Sequence, residues 1–229
     1  MPKKSSYRKL FSSLKRVGND NLSSFALPVK NTGYELVPVA CAEKHIDQEV
    51  VALLTEARNL NTTAFLTMFN ATEERTRNWL SQTVAKEDNR ILFMLQNMRK
   101  KNYYGYMGLA FGNSDGSYIE ADAVVRIDKN MIHGLMKASL TRLLEWVRID
   151  LKIASVGVRV LSDNPALKFY ERCGFIKHKC QDLYDVKDAS GQVVALETKQ
   201  QFAGQQKSER SLCCMIHSHS TTNSNLGYK

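Results

Sequence analysis

Regular apolar periods begin near residue 33. The run YELVPVA has the composition of a strand, and DQEVVALLTEARNL then sets Val50, Leu53, Leu54, Ala57 and Leu60 at helical spacing behind Asp47 as the cap. A second helix is expected over about 72–86, where Asn70 and Glu73 have the spacing of a capping box. Three strand-like runs follow, RILFMLQNM, YYGYMGLAFG and SYIEADAVVRI, separated by KKN and by the turn-rich NSDG, which is the pattern of a meander. The longest helical pattern is IHGLMKASLTRLLEWVRIDLK, with Leu135, Met136, Leu140, Leu143, Leu144, Val147 and Leu151 on one face. ASVGVRVLSD alternates Val156, Val158 and Val160 as a strand does. After a short helix within SDNPALKFYERCGF, the runs FIKHKCQDLYDV and QVVALETK supply two closing strands. The order β-α-α-β-β-β-α-β-α-β-β predicts an α+β fold built on one mixed central sheet with flanking helices.

A chain of 229 residues buries one sizeable core. We divide it into a basic N-terminal extension at 1–30, a domain at 31–199 and a disordered C-terminal tail at 200–229, where apolar periodicity is lost. The extension places Tyr7, Leu10, Phe11, Leu14 and Val17 at helical spacing among basic residues. Such a helix is compatible with contact to nucleic acid or a membrane surface, but a solvated arm is the simpler reading. The net charge of +9 changes little, because residues 1–30 hold seven Lys/Arg against one Asp and the domain itself is close to neutral. Five cysteines with no C-x-x-C pair and no signal peptide argue against a disulfide framework and for the cytoplasm. No apolar run approaches the roughly 20 residues a membrane span needs. The oligomeric state is not set by any of these features.

The short helix carries the most specific signal. Asn164 can cap it, Pro165 suits its first turn, and Gly174 suits the left-handed residue that ends it. Ala166, Tyr170 and Cys173 share a face, which turns Tyr170 back toward the end of the preceding strand. Taken alone, Tyr170 reads as a packing residue with a satisfied hydroxyl. The whole run D-N-P-A-x-x-F-Y-E-R-C-G-F, however, resembles a motif of the GCN5-related N-acetyltransferase superfamily, N-x-x-A-x-x-x-Y-x-x-x-G-F. That resemblance covers about residues 33–199. It implies a cytoplasmic transferase that uses acetyl coenzyme A as acyl donor. Tyr170 would be the general acid to the leaving thiolate, and Asn164 a cofactor contact. A phenol of pKa about 10 is a suitable proton source for a thiolate of similar basicity.

The superfamily's phosphate motif, [Q/R]-x-x-G-x-[G/A], falls on Met131-Ile132-His133-Gly134-Leu135-Met136, of which only Gly134 keeps the pattern. What a phosphate needs there is backbone N–H groups at a helix start, so side-chain departures weaken this assignment more than they weaken the fold. The resemblance implies a cofactor-binding set of Val125, Ile127, Met131, Ile132, His133, Gly134, Leu135, Met136 and Asn164. For a general base, strand alternation puts Tyr118, Glu120, Asp122 and Arg126 on one face. Counting back from Gly134 selects Glu120, with Asp122 second and an ion-paired strand face as the structural alternative. Cys213, Cys214, His217 and His219 include metal-binding residue types, but no second pair completes a site, so no metal is expected. For the acceptor amine, Arg58, Asn59, Asn61, Phe65 and Phe69 in ARNLNTTAFLTMF set polar donors beside aromatics, which would suit a nucleotide-linked amino sugar or another small amine. The alternatives are a non-catalytic acyl coenzyme A-binding module and a protein N-terminal acetyltransferase.

Overall fold

A computed structural model of the chain describes residues 7–128 and 131–218. Its described residues form six α-helices around one nine-stranded sheet of order β1-β2-β3-β4-β5-β6-β9-β7-β8. In chain order these are α1 (Tyr7–Leu14), α2 (Asn19–Leu22), β1 (Leu27–Val29), β2 (Tyr34–Pro38), α3 (Gln48–Leu60), α4 (Glu73–Asn78) and β3 (Ile91–Asn97). Then come β4 (Tyr103–Ala110), β5 (Tyr118–Arg126), α5 (Leu135–Ile149), β6 (Ser155–Leu161), α6 (Ala166–Arg172), β7 (Phe175–Lys187), β8 (Val193–Glu197) and β9 (Lys207–His217). All neighbouring strands are antiparallel except β5 and β6, which run parallel. The run from β2 to β8 has the expected order of elements.

The sheet separates two cores. On one face Phe93, Leu95, Met107 and Ile119 pack against Leu140, Leu143 and Val147 of α5 and against Tyr7, Phe11 and Leu14 of α1. On the other, Leu92, Met94 and Tyr106 meet Val50, Val51, Leu54 and Ala57 of α3 and Leu80 and Val84 after α4. Asp47 caps α3 by accepting from the Glu49 amide at 2.8 Å, as expected. At α4 the cap is Thr72, which accepts from the Arg75 amide, so the expected capping role of Asn70 is corrected. The helix continues from α4 into a wide π-type turn at Trp79–Val84.

Both proposed boundaries need correction. The segment 1–30, read as an arm outside the domain, contributes the fully buried Tyr7 and Phe11 to the main core, and Tyr7 donates its hydroxyl to the Asn113 carbonyl at 2.9 Å. Lys15 is also buried, with its ammonium donating to the Val84 and Glu87 carbonyls at 2.6 Å each. Its charges made this helix look like a solvated arm, whereas its apolar stripe is covered. The expected tail contains β9, a central strand between β6 and β7. Leu212, Cys213 and Met215 of β9 are buried, and Cys213 forms a disulfide with Cys180, its directly opposed partner on β7. The sequence argued against a disulfide framework, and this one bridge departs from that expectation. Among the described residues, no helix is long and apolar enough to cross a membrane, and no cluster of His, Cys, Asp and Glu could hold a metal ion. His219 lies outside the described residues.

Candidate active site

The site begins where two parallel strands part. Strands β5 and β6 are paired only at Tyr118–Ser155, Ile119–Val156 and Glu120–Gly157, although both continue, to Arg126 and Leu161. Beyond Glu120, alternate backbone groups of β5 therefore point into a cleft instead of to a neighbouring strand. A cavity of about 410 Å³ occupies the cleft, lined by Asp122 to Ile127 on one side and by Arg159, Val160, Asn164, Ala166 and Tyr170 on the other. An extended ligand that carries amides could replace the missing strand here.

The geometry of α6 follows from its punctuation. The Asn164 carboxamide oxygen accepts from the Ala166 amide at 2.9 Å and the Asn164 carbonyl from the Leu167 amide at 3.0 Å, which starts the helix at the cleft. Gly174, with φ +91°, ends it in the left-handed region that favours glycine. Tyr170 is consequently held edge-on between Phe169 and Phe175, almost wholly buried yet lining the cleft. Its hydroxyl makes no hydrogen bond among the described residues. Burial raises its pKa well above that of an ordinary tyrosine, and the nearby Asp122 charge raises it further.

The carboxylates of β5 are separated in environment. A bulge interrupts the β4–β5 ladder between the pairs Tyr106–Val125 and Gly108–Asp122, and Ala123 there takes a left-handed φ of +51°. The simple alternation expected for β5 fails at this point. Asp122 precedes the bulge and lines the cleft, 3.6 Å from Arg90 Nη1. Burial raises its pKa above the ordinary aspartate value, with Arg90 acting in the opposite sense. Glu120, the first choice for a base, is committed elsewhere: it accepts from Arg159 Nε at 2.7 Å and from the Tyr118 hydroxyl at 3.2 Å. It does not line this cavity.

A second cavity of about 430 Å³ lies beyond the bulge, lined by Leu54 and Arg58 of α3, by Phe65, Thr67, Phe69 and Ala71, and by Arg75, Thr76 and Trp79. Arg90, Tyr106, Asp122 and Ala123 close it, so Asp122, Ala123 and Phe65 belong to both cavities. The 62–71 segment forms its wall and is firmly tied. Asn59 donates to the Ala71 carbonyl and accepts from the Ala71 amide, while the Met68 amide donates to the Val194 carbonyl of β8 and the Leu196 amide of β8 donates back to the Leu66 carbonyl. A buried 2.7 Å hydrogen bond between the Thr55 and Thr76 hydroxyls joins α3 to α4 beneath it. Of the acceptor-side residues expected from sequence, Arg58, Phe65 and Phe69 line this cavity, Asn61 lines the first, and Asn59 serves as the tie.

Of the expected cofactor set, Val125, Ile127 and Asn164 share the first cavity with Tyr170. The loop residues do not. Gly134 stands at the start of α5 with φ +81°, a conformation that favours glycine, while Leu135 is buried in the core and Ile132 is exposed. Met131 and Met136 pack against the core, and His133 borders Gly134 before the helix. Of the first-turn amides of α5, that of Leu135 donates to the Ile132 carbonyl at 3.1 Å, and those of Met136 and Lys137 have no acceptor within the helix, which leaves an anion-compatible end. Sequence reasoning missed Arg75, Trp79, Arg90 and Tyr106. The first three lie on surfaces whose spacing reads as ordinary solvated helix or turn.

No family model and no curated protein matches the sequence. Solved structures do match in fold. The spermidine/spermine N-acetyltransferase SpeG from Vibrio cholerae is 14% identical at TM-score 0.54, over 81% of this chain and 92% of that one. A GCN5-related N-acetyltransferase from Brucella melitensis is 14% identical at TM-score 0.57, over 82% and 76%. RimL, a ribosomal L7/L12 alpha-N-protein acetyltransferase, solved with coenzyme A in a disulfide to one of its cysteines, is 14% identical at TM-score 0.59, over 83% and 96%.

Proposed function

We propose that this chain, which has the fold of the GCN5-related N-acetyltransferases, is an N-acetyltransferase that moves an acetyl group from acetyl coenzyme A to a primary amine. The observation that carries this reading is the parting of β5 and β6, with Tyr170 on one wall and Asp122 at the passage into a second cavity. The cleft suits the amide-bearing arm of the donor, with backbone groups of Val125 and Ile127 and the Asn164 carboxamide as its contacts. The start of α5 at Gly134 is the candidate for its phosphates. The solved RimL complex with coenzyme A supports the choice of donor by analogy of fold.

The reaction is a direct transfer. Asp122 takes a proton from the acceptor nitrogen, the nitrogen forms a bond to the thioester carbonyl carbon, and the carbon–sulfur bond breaks. Tyr170 gives its proton to the departing sulfur and regains one from water or from Asp122, so the net products are the N-acetyl amine and free coenzyme A. The raised pKa of Asp122 makes it a stronger base than an exposed aspartate. We place Asp122 in this role and Glu120 in a structural one. A turnover assay for free thiol, run with acetyl coenzyme A over a panel of amines beside calorimetric titration with coenzyme A, tests the reading. Amine-dependent thiol release supports it. Binding of coenzyme A with no release on any amine would favour a non-catalytic module, a reading to which Met131 in place of Gln/Arg lends some weight.

A further inference from the structure

The second cavity is electrostatically lopsided. Three arginines, Arg58, Arg75 and Arg90, line it against a single acid, Asp122. Arg90 is already compensated, 2.7 Å from Glu87 and 3.6 Å from Asp122. Arg58 and Arg75 are not: among the described residues neither meets a carboxylate. The Arg58 guanidinium lies 3.8 Å from the centre of the Phe65 ring and 4.6 Å from that of Phe69, and Arg75 lies 3.6 Å from the centre of Phe69. Among the described residues Arg58 donates only to the carbonyl and hydroxyl oxygens of Thr67, and its buried Nη1 has no acceptor. Burial lowers its pKa, and the Arg75 charge lowers it further, so the two cations are close enough to oppose one another.

The half-buried Arg58 guanidinium, beside the exposed Arg75 cation and without an anion, is costly, and stacking on an aromatic ring offsets only part of that cost. Attraction to a carboxylate or phosphate would offset the rest, through the planar fork that makes arginine the usual partner of such groups. A polycation would meet the opposite field. Resting on the acetyltransferase reading above, we propose that the acceptor is a small primary amine carrying an anionic oxygen group, a carboxylate or a phosphate. Arg58 and Arg75 hold the anion against Phe69 while the nitrogen reaches Asp122 at the passage between the cavities. A volume of about 430 Å³ suits a small molecule.

The test uses matched amines with acetyl coenzyme A: phenylalanine against phenethylamine, glucosamine 6-phosphate against glucosamine, and spermidine as the polycation. The expected result is a kcat/KM at least about tenfold higher for an anionic member than for its twin, with the carboxylate and phosphate arms telling the two groups apart. Arg75→Met, at an exposed position where folding is little affected, should raise KM for the anionic member about tenfold and leave its twin within about twofold. Arg58→Met should do the same and more. Preference for spermidine or for the uncharged twins, or a preference that survives both substitutions, overturns the proposal. Preference for a peptide with an acidic N-terminal segment over every small amine overturns its small-molecule part. If coenzyme A binds but no amine turns over, the acetyltransferase reading fails separately. Calorimetric binding of each pair to the coenzyme A-loaded protein then decides this one: equal affinity within the pairs overturns it, and anion-selective binding sustains it.

Discussion

Arg159 Nε donates to the Glu120 carboxylate at 2.7 Å, and this pairing is why the proposal above gives the base to Asp122 and not to the acid that strand counting places first. Glu120→Gln is expected to cost about 1–3 kcal/mol of stability, because a mostly buried partner loses its charge, and to leave kcat within about threefold. Asp122→Asn is expected to lower kcat by about 10²-fold with little change in coenzyme A affinity. Thermal unfolding and kcat measured on both variants check the assignment; the reverse pattern would return the base to Glu120.

The pH profile supplies a separate check on Asp122. Its carboxyl titrates above the ordinary aspartate range, so the acid limb of kcat should lie higher than an exposed aspartate would place it. Arg90 favours the charged form of Asp122. Removing that charge with Arg90→Gln should therefore raise the Asp122 pKa and move the limb to higher pH. A limb that stays in place, with chemistry shown to limit kcat, would detach Asp122 from the step that titrates.

The first helix belongs to the folded unit, and its loss should be felt. Tyr7, Phe11 and Leu14 are each worth about 1.5–3 kcal/mol as buried side chains, against a total stability of about 5–15 kcal/mol for a typical domain. Deleting residues 1–17 is expected to abolish or severely weaken cooperative unfolding. Lys15→Met is the finer probe: it takes the ammonium donor from the Val84 carbonyl and from the Glu87 carbonyl, which keeps the Arg90 amide, and should cost about 2 kcal/mol. Unchanged denaturant midpoints for both proteins would show the helix to be dispensable.

How far the sequence could be read follows from how local each signal is. The α6 segment carries its cap, its proline, its apolar face and its terminating glycine within a dozen residues, so the placing of Tyr170 and Asn164 could be read there. Helix α1 has the same kind of apolar stripe, but the decision between a covered stripe and a solvated one rests on contacts with residues about 70 to 106 positions away, such as Val84 and Asn113. Strand β9 was hidden by its composition: Ser211, Cys213 and Cys214 lack strand-forming bulk, yet the position between β6 and β7 covers them on both edges. Glu120 was chosen over Asp122 because counting assumes an unbroken strand and cannot see either the Arg159 partner or the bulge at Ala123. The cationic character of the second cavity is a property of three distant segments, α3, α4 and Arg90, brought together only by folding.

Tyr170→Phe separates chemistry from packing more cleanly than any other change, because this hydroxyl has no hydrogen-bond partner among the described residues to lose. The ring contacts with Phe169 and Phe175 are kept in the variant and the hydroxyl lines the cleft with no protein hydrogen bond to lose among the described residues, so the melting temperature should change little. A purely structural tyrosine in this environment would leave kcat unchanged as well. If the hydroxyl protonates the departing sulfur, kcat falls by about 10²-fold or more while coenzyme A affinity changes little. The raised pKa of Tyr170 keeps the phenol protonated across the working pH range, and it also makes the phenol a weaker acid than one matched to the thiolate, so its proton leaves only as negative charge builds on the sulfur. The loss should therefore be constant with pH up to at least pH 9. Thiol release by the two proteins at several pH values, beside calorimetric coenzyme A titration and thermal unfolding, measures all three quantities. Wild-type kcat in the phenylalanine variant, under conditions where chemistry limits turnover, would remove Tyr170 as the acid and leave protonation of the thiolate to water.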